Sequence, residues 1–201
     1  MGDYEKEQRR LWALWEEVQN EDEAIDRDDS EEEDEIDNVP STEDEWLEIA
    51  KDFENEWNFP HCIGALDGKQ VQIQCPANSG SSFYNYKRTF SIVLMAIVDA
   101  NYKFIYAHVG SQGRMSDGGV FHTTSFCRGL VNNALNIPKP TPLSKSTHLE
   151  VSYVIIADDA FPLTTNIMKP FPVNIPAGSP RRIYNYRLSR ARRIVENAFG
   201  L

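Results

Sequence analysis

The chain has 201 residues with 31 acidic and 20 basic side chains, and these charges are divided unevenly along it. Residues 1–56 hold 24 acidic and 5 basic residues, whereas residues 57–201 hold 7 acidic and 15 basic ones. The absence of long apolar runs and of CxxC spacing argues against a membrane span, a signal peptide and a structural zinc site. We expect an intracellular protein, in a reducing compartment, whose basic part suits a polyanion.

The first part of the chain is predicted to be an acidic segment, residues 1–40. A short amphipathic helix is possible over residues 3–18. The block of like charge over residues 20–38 cannot bury enough apolar surface to order itself, so we expect it to be disordered. Ser41 or Thr42 can then cap a helix over residues 42–57.

From residue 58 onward the pattern becomes that of a mixed α/β sheet flanked by helices. The predicted elements, in chain order, are a buried strand ending at an Asp-Gly turn ("HCIGALDG"), a half-exposed strand ("QVQIQC"), a hairpin ("FSIVLMAIVDANYKFIYAHVG"), a helix from Gly119, a buried strand ("SYVIIADDAF") and a helix from about Tyr186. We therefore predict one domain over residues 41–201, with residues 42–57 leading into a core over residues 58–201.

Three of the seven acidic residues in the basic part could form a metal site. Asp67 and Asp158 each follow an apolar strand, and ligand sites gather at strand ends in α/β sheets. Glu196 lies on the last helix among arginines. An oxygen-only set of this kind suits Mg²⁺ or Mn²⁺, and such ions activate water for phosphodiester hydrolysis. The alternatives are that each aspartate is a turn or cap residue and that Glu196 only pairs with Arg192.

The other acidic residues have simpler explanations. Asp117 most simply caps the helix starting near Gly118, and the alternative is that it orients a loop over the site. Asp159 directly follows Asp158 and would point to the opposite face of the sheet, so it is a turn residue or a neighbour of the ligands. Asp99 belongs to the hairpin turn.

Five stretches of the basic part resemble the DDE endonuclease domain of PIF/Harbinger-type transposases and of the nucleases derived from Harbinger transposases. They cover about 140 residues and occur in the family's order. The stretches are "WNFPHCIGALDGKQVQI", "YNYKRTFSIVLMAIVDANYKFIYAHVG", "GRMSDGGVF", "ADDAFPL" and "YNYRLSRARRIVENAFG".

The resemblance implies an RNase H-like fold and a DNA nuclease that uses a divalent metal. The family's catalytic and metal-binding acids match Asp67 in "ALDG", Asp158 in "ADDAFPL" and Glu196 in "VENAFG". It also implies a nuclear role, DNA as substrate and a separate DNA-binding partner protein. The side chains that would contact the DNA backbone are Lys69, Lys87, Arg88, Arg187, Arg190, Arg192 and Arg193.

The chain departs from the family pattern at both ends. Family members usually carry a helix-turn-helix-like region before the nuclease domain, and they continue with more helix after "VENAFG". We therefore expect a nuclease domain that is incomplete at its C-terminus. Two alternatives remain open: a catalytically inactive remnant that binds DNA or protein, and an interaction protein that acts through its acidic segment.

Overall fold

The computed structural model describes residues 34–143, 149–172 and 175–200. The helix predicted over residues 3–18 and most of the acidic block lie outside these residues. Within the described part of the chain, no helix is both apolar enough and long enough to cross a membrane.

Six strands form the main sheet, in the spatial order β1-β4-β3-β2-β7-β8. Strands β1 to β4 pair antiparallel, whereas β7 runs parallel to both β2 and β8. The strands of this sheet are β1 (Asp34–Asp37), β2 (Cys62–Gln72), β3 (Ser91–Val98), β4 (Phe104–Gln112), β7 (Val154–Ile156) and β8 (Ile167–Met168). A separate short pair consists of β5 (Thr141–Pro142) and β6 (Glu150–Val151).

Helices cover both faces of the sheet. They are α1 (Glu43–Trp57), α2 (Asp117–Thr123), α3 (Ser125–Val131) and α4 (Pro180–Ala198). Consecutive residues of β2 point to opposite faces: Leu66 packs in a cluster with α2 and α3, and Ala65 packs in a second cluster with α4. Helix α1 contributes Trp46 to the first cluster and Phe53 to the second. The predicted mixed α/β sheet flanked by helices is confirmed.

The predicted Asp-Gly turn after the first core strand is wrong. Strand β2 runs without a break from Cys62 to Gln72, and Asp67 and Gly68 pair with Ala96 and Met95 of β3. The antiparallel ladder with β3 overrides the local tendency of this dipeptide to turn, because each residue of the pair is held in an extended conformation.

The acidic block also contains structure that its composition did not predict. Its residues Asp34–Asp37 form β1, which pairs with β4 at the edge of the sheet. The expected disorder is therefore wrong for these four residues, because an available sheet edge supplies the hydrogen bonds that the segment cannot make alone.

Two helix starts differ from the predictions. Ser116, rather than Asp117, is the N-cap of α2, and its side chain accepts a hydrogen bond from the Gly119 amide. Helix α4 begins at Pro180 after an N-cap at Ser179, six residues before the expected position. A proline at the first helical position is favourable because its missing N–H has no partner there anyway.

Candidate active site

Parallel pairing of β2 with β7 places Asp67 and Asp158 at equivalent positions. Ala65 pairs with Ile156, and each aspartate lies two residues further along its own strand direction. Asp67 is mostly buried, with 15% of its side chain exposed. Asp158 directly follows β7, and its carboxylate accepts a hydrogen bond of 2.8 Å from the Ala160 amide. Both carboxylates therefore lie at the same end of neighbouring strands.

Helix α4 brings Glu196 and Arg192 to these aspartates. Its apolar stripe packs on the sheet and holds the helix across β2. The Arg192 guanidinium donates a hydrogen bond of 3.1 Å from Nη1 to Oδ2 of Asp67, and its Nη2 donates to Oε1 of Glu196. The pairing of Glu196 with Arg192 that the sequence allowed is present, and it extends to Asp67.

Asp117 is the fourth carboxylate near this point. A Cβ atom added to Gly68 would lie only 2.6 Å from Oδ1 of Asp117, so the carboxylate lies directly over the glycine of β2. A Cβ added to Gly118 would lie 2.8 Å from the carbonyl oxygen of Ala160. The first turn of α2 therefore packs against β2 on one side and the loop after Asp158 on the other.

The pKa shifts show that these acids share one electrostatic environment. Burial, followed by the charges of Asp67 and Asp158, raises the pKa of Asp117 to about 6, and Lys87 opposes the shift. Burial also raises the pKa of Asp67; Arg192 opposes this, whereas the charges of Asp158 and Glu196 add to it. Asp67 and Asp158 thus repel Asp117, and Asp158 and Glu196 repel Asp67, so a cation would relieve the repulsion.

The chemistry of the donors fits a hard divalent cation, because all four acids offer oxygen atoms. Yet among residues 34–143, 149–172 and 175–200, no three His, Cys, Asp or Glu side chains lie close enough together to hold an ion. Arg192 provides the positive charge instead, since its guanidinium bridges Asp67 and Glu196. A cationic group therefore already bridges two of the proposed ligands.

Two other predicted residues are engaged elsewhere. The Asp159 side chain is 81% exposed and forms an ion pair with Lys169 at 3.1 Å. The charges that shift the pKa of Asp67 and Asp117 come from other residues. Lys69 donates a hydrogen bond of 2.5 Å to the Phe199 carbonyl at the C-terminus of α4, where the helix dipole favours a positive charge.

The remaining basic residues lie on two exposed surfaces. Arg187, Arg190 and Arg193 are exposed on α4. Lys87 and Arg88 belong to a tight turn over residues 85–89, which we call the basic turn.

The basic turn is held rigidly by a buried side chain. Asn85 is 5% exposed, and its Oδ1 accepts hydrogen bonds from the amides of Lys87 and Thr89. Tyr86 is 80% exposed beside these bonds, and Lys87 lies over its ring at 5.5 Å. Sequence reasoning found the two basic residues but missed Tyr86, although the run "YNYKR" combines aromatic and basic side chains as nucleic-acid-binding surfaces do.

Comparisons with known proteins indicate the family of this chain. A family model described as DDE superfamily endonuclease matches residues 66–201. The chain is also similar to the protein named Protein ALP1-like from Arabidopsis thaliana, with 28% identity over 143 residues. That match covers 70% of this chain and 34% of the relative, so the chain spans about a third of the relative's length. No solved structure matches the chain.

Proposed function

Because the chain belongs to the DDE superfamily endonucleases, whose fold is RNase H-like, we propose that it is a DNA endonuclease that depends on a divalent metal ion. The observation that carries the proposal is the placement of Asp67 and Asp158 at the same end of paired strands, with Glu196 joined to Asp67 through Arg192. The family match supports the resemblance to PIF/Harbinger-type transposases that the sequence motifs indicated.

Asp67, Asp158 and Glu196 are the residues that would hold Mg²⁺ or Mn²⁺. When bound, the ion supplies an activated water and stabilises the leaving oxygen of a phosphodiester. Asp67 lies in the ladder between β2 and β3, so its backbone is held by hydrogen bonds, whereas the Glu196 side chain is 45% exposed on α4. Asp117 fills the space over Gly68, whose neighbour Asp67 points to the opposite face of β2.

The exposed basic residues would position the DNA. They are Arg187, Arg190 and Arg193 on α4 and Lys87 and Arg88 in the basic turn. Such side chains neutralise phosphates and fix orientation without reading sequence. A nuclear location and a separate DNA-binding partner protein are part of this proposal because the family resemblance implies them.

A second candidate function is a DNA-binding module without turnover. The ion pairs of Arg192 favour it, because a guanidinium already neutralises two of the three carboxylates that would bind the metal. Under this alternative, the basic residues would still hold DNA.

The two candidates are separated by plasmid nicking in Mn²⁺ together with DNA affinity from fluorescence anisotropy. Asp67→Asn, Asp158→Asn and Glu196→Gln should each lower nicking on the order of 10²-fold or more, while DNA affinity persists. Asp159→Asn is the matched control, because Asp159 is exposed and paired with Lys169. A folded wild-type protein that binds DNA without nicking it would establish the binding module and overturn the nuclease.

A further inference from the structure

Arg192 has a position unlike that of the other arginines of α4. Its side chain is 21% exposed, and its two terminal nitrogens contact two carboxylates. We propose that Arg192 is a built-in counter-ion, which holds Asp67 and Glu196 together in the metal-free protein and is displaced when a divalent cation binds. The inference rests on the proposed function, because it describes how the same site is regulated.

The two contacts of Arg192 need a specific arrangement of strand and helix. Glu196 lies one turn after Arg192 on α4, so both side chains are on the same helix face. Asp67 lies 125 residues earlier and reaches the guanidinium because α4 packs across β2. The planar guanidinium matches a contact with two carboxylates better than an ammonium would.

The electrostatics explain why the metal-free site needs this cation. Asp67 is mostly buried, and an unpaired buried carboxylate is costly. The Arg192 guanidinium lies 3.1 Å from Oδ2 of Asp67 and also contacts Glu196. The guanidinium thus supplies a positive charge to Asp67 and Glu196 without a bound metal.

Arg192 and a divalent ion would compete for the same oxygen atoms. The guanidinium contacts Oδ2 of Asp67 and Oε1 of Glu196. A divalent ion held by these carboxylates would lie close to the guanidinium, and two cations this close repel. Binding of the ion would therefore oppose the guanidinium contacts, and in our proposal it releases them.

The released guanidinium would lie near other exposed arginines of α4. Arg190 and Arg193 are exposed on the same helix, so a side chain that leaves the acids joins a surface suited to phosphates. Metal binding would then add one phosphate-binding group to α4. By linkage, DNA bound to that group would in turn raise metal affinity.

The test compares Arg192→Gln with Arg193→Gln, which removes the same charge from the adjacent exposed position. The measurements are Mn²⁺ affinity by calorimetry and Tm in EDTA. Arg192→Gln should raise Mn²⁺ affinity about tenfold and lower the Tm, whereas Arg193→Gln should change both much less. Arg192→Lys keeps the charge but not the two-sided contact, so its affinity should lie between wild type and Arg192→Gln.

The outcomes separate the inference from the function on which it rests. If wild type binds Mn²⁺ and Arg192→Gln binds no more tightly than Arg193→Gln, the counter-ion role is overturned and the metal site stands. If neither wild type nor Arg192→Gln binds Mn²⁺, the metal-dependent nuclease is overturned and the displacement with it. A double-mutant cycle of Arg192→Gln with Asp67→Asn in EDTA isolates the bridge, because absence of coupling would show that the two side chains do not interact.

Discussion

Asp117 packs directly against the backbone of β2 at Gly68. The carboxylate of Asp117 lies where a side chain on residue 68 would be, so only glycine leaves room for it. Its pKa rises to about 6 through burial and through the charges of Asp67 and Asp158. At neutral pH the ionised Asp117 therefore opposes folding of the metal-free protein.

Removing that charge should stabilise the protein. We expect Asp117→Asn to raise the free energy of unfolding by about 1 kcal/mol at pH 7 in EDTA, after allowance for solvent screening. The pKa of Asp117 in the folded protein lies above its ordinary value of 3.8. The destabilisation caused by the ionised carboxylate is therefore fully present above about pH 6, and it disappears as the pH falls below 3.8.

Urea unfolding at pH 7 and pH 4 measures this effect. Asp159→Asn is the control, since Asp159 is exposed and its pair with Lys169 is a surface contact. A destabilised Asp117→Asn protein at pH 7 would mean that hydrogen bonds of the carboxylate outweigh the repulsion.

Among the secondary-structure elements, the basic turn is a preformed surface near the acids. Asn85 fixes the turn from inside, and Lys87 lies close enough to Asp117 to lower its pKa. The segment just before the turn is also joined to the segment leading into α2, because the Arg114 amide donates to the carbonyl of Ser82. DNA held by this turn would therefore lie beside the proposed active site.

Removing the two charges of the turn should weaken DNA binding in a way that depends on salt. A side chain that no longer neutralises a phosphate should reduce the slope of log affinity against log salt by about 0.9 for duplex DNA. For the double variant Lys87→Gln with Arg88→Gln, we expect the slope to be lower by nearly 2 and the Tm to be unchanged. The slope is measured by fluorescence anisotropy between 50 and 200 mM salt (about a fourfold range).

Lys51→Gln is the matched control for this experiment, because Lys51 is exposed on α1 among acidic residues. An equal decrease of the slope in the control would show that net charge, rather than the basic turn, governs binding.

Elements with strong local signals could be predicted from the sequence. Thr42 and Glu45 form the capping box that begins α1, and two apolar runs around Asp99 form the hairpin of β3 and β4. Partners distant in sequence could not be predicted. The spacing of Arg192 and Glu196 is visible in the sequence, but the contact of Arg192 with Asp67 depends on how α4 packs on the sheet.

Across the whole molecule, β1 joins the end of the acidic block to the sheet of the nuclease domain. Glu35 of β1 accepts hydrogen bonds from the Tyr106 hydroxyl at 2.7 Å and from the Ser125 hydroxyl at 2.8 Å. Nδ1 of the buried His108 lies 3.4 Å from the same carboxylate. The edge of β4 is thus covered by a strand from the acidic part of the chain, and the short, charged β1 disfavours pairing with other chains at the new edge.

This attachment should depend on pH. Burial raises the pKa of Glu35, but hydrogen bonds from Tyr106, Ser125 and His108 outweigh it, and the net pKa is lowered from 4.5. A lowered folded pKa means that the stabilisation is present above about pH 4.5 and is lost as the pH falls through the folded value. Because Glu35 is partly exposed, the contribution should be less than about 1 kcal/mol.

Glu35→Gln should therefore lower the Tm at pH 7, and its difference from wild type should shrink as the pH falls toward 3.5 (roughly one unit below the ordinary pKa). Hydrogen exchange of the β4 amides should report the same loss, because β1 covers that edge. Asp37→Asn is the control on the same strand, where the side chain is exposed. A Tm difference that stays constant between pH 7 and pH 3.5 would mean that Glu35 acts through packing rather than through its charge.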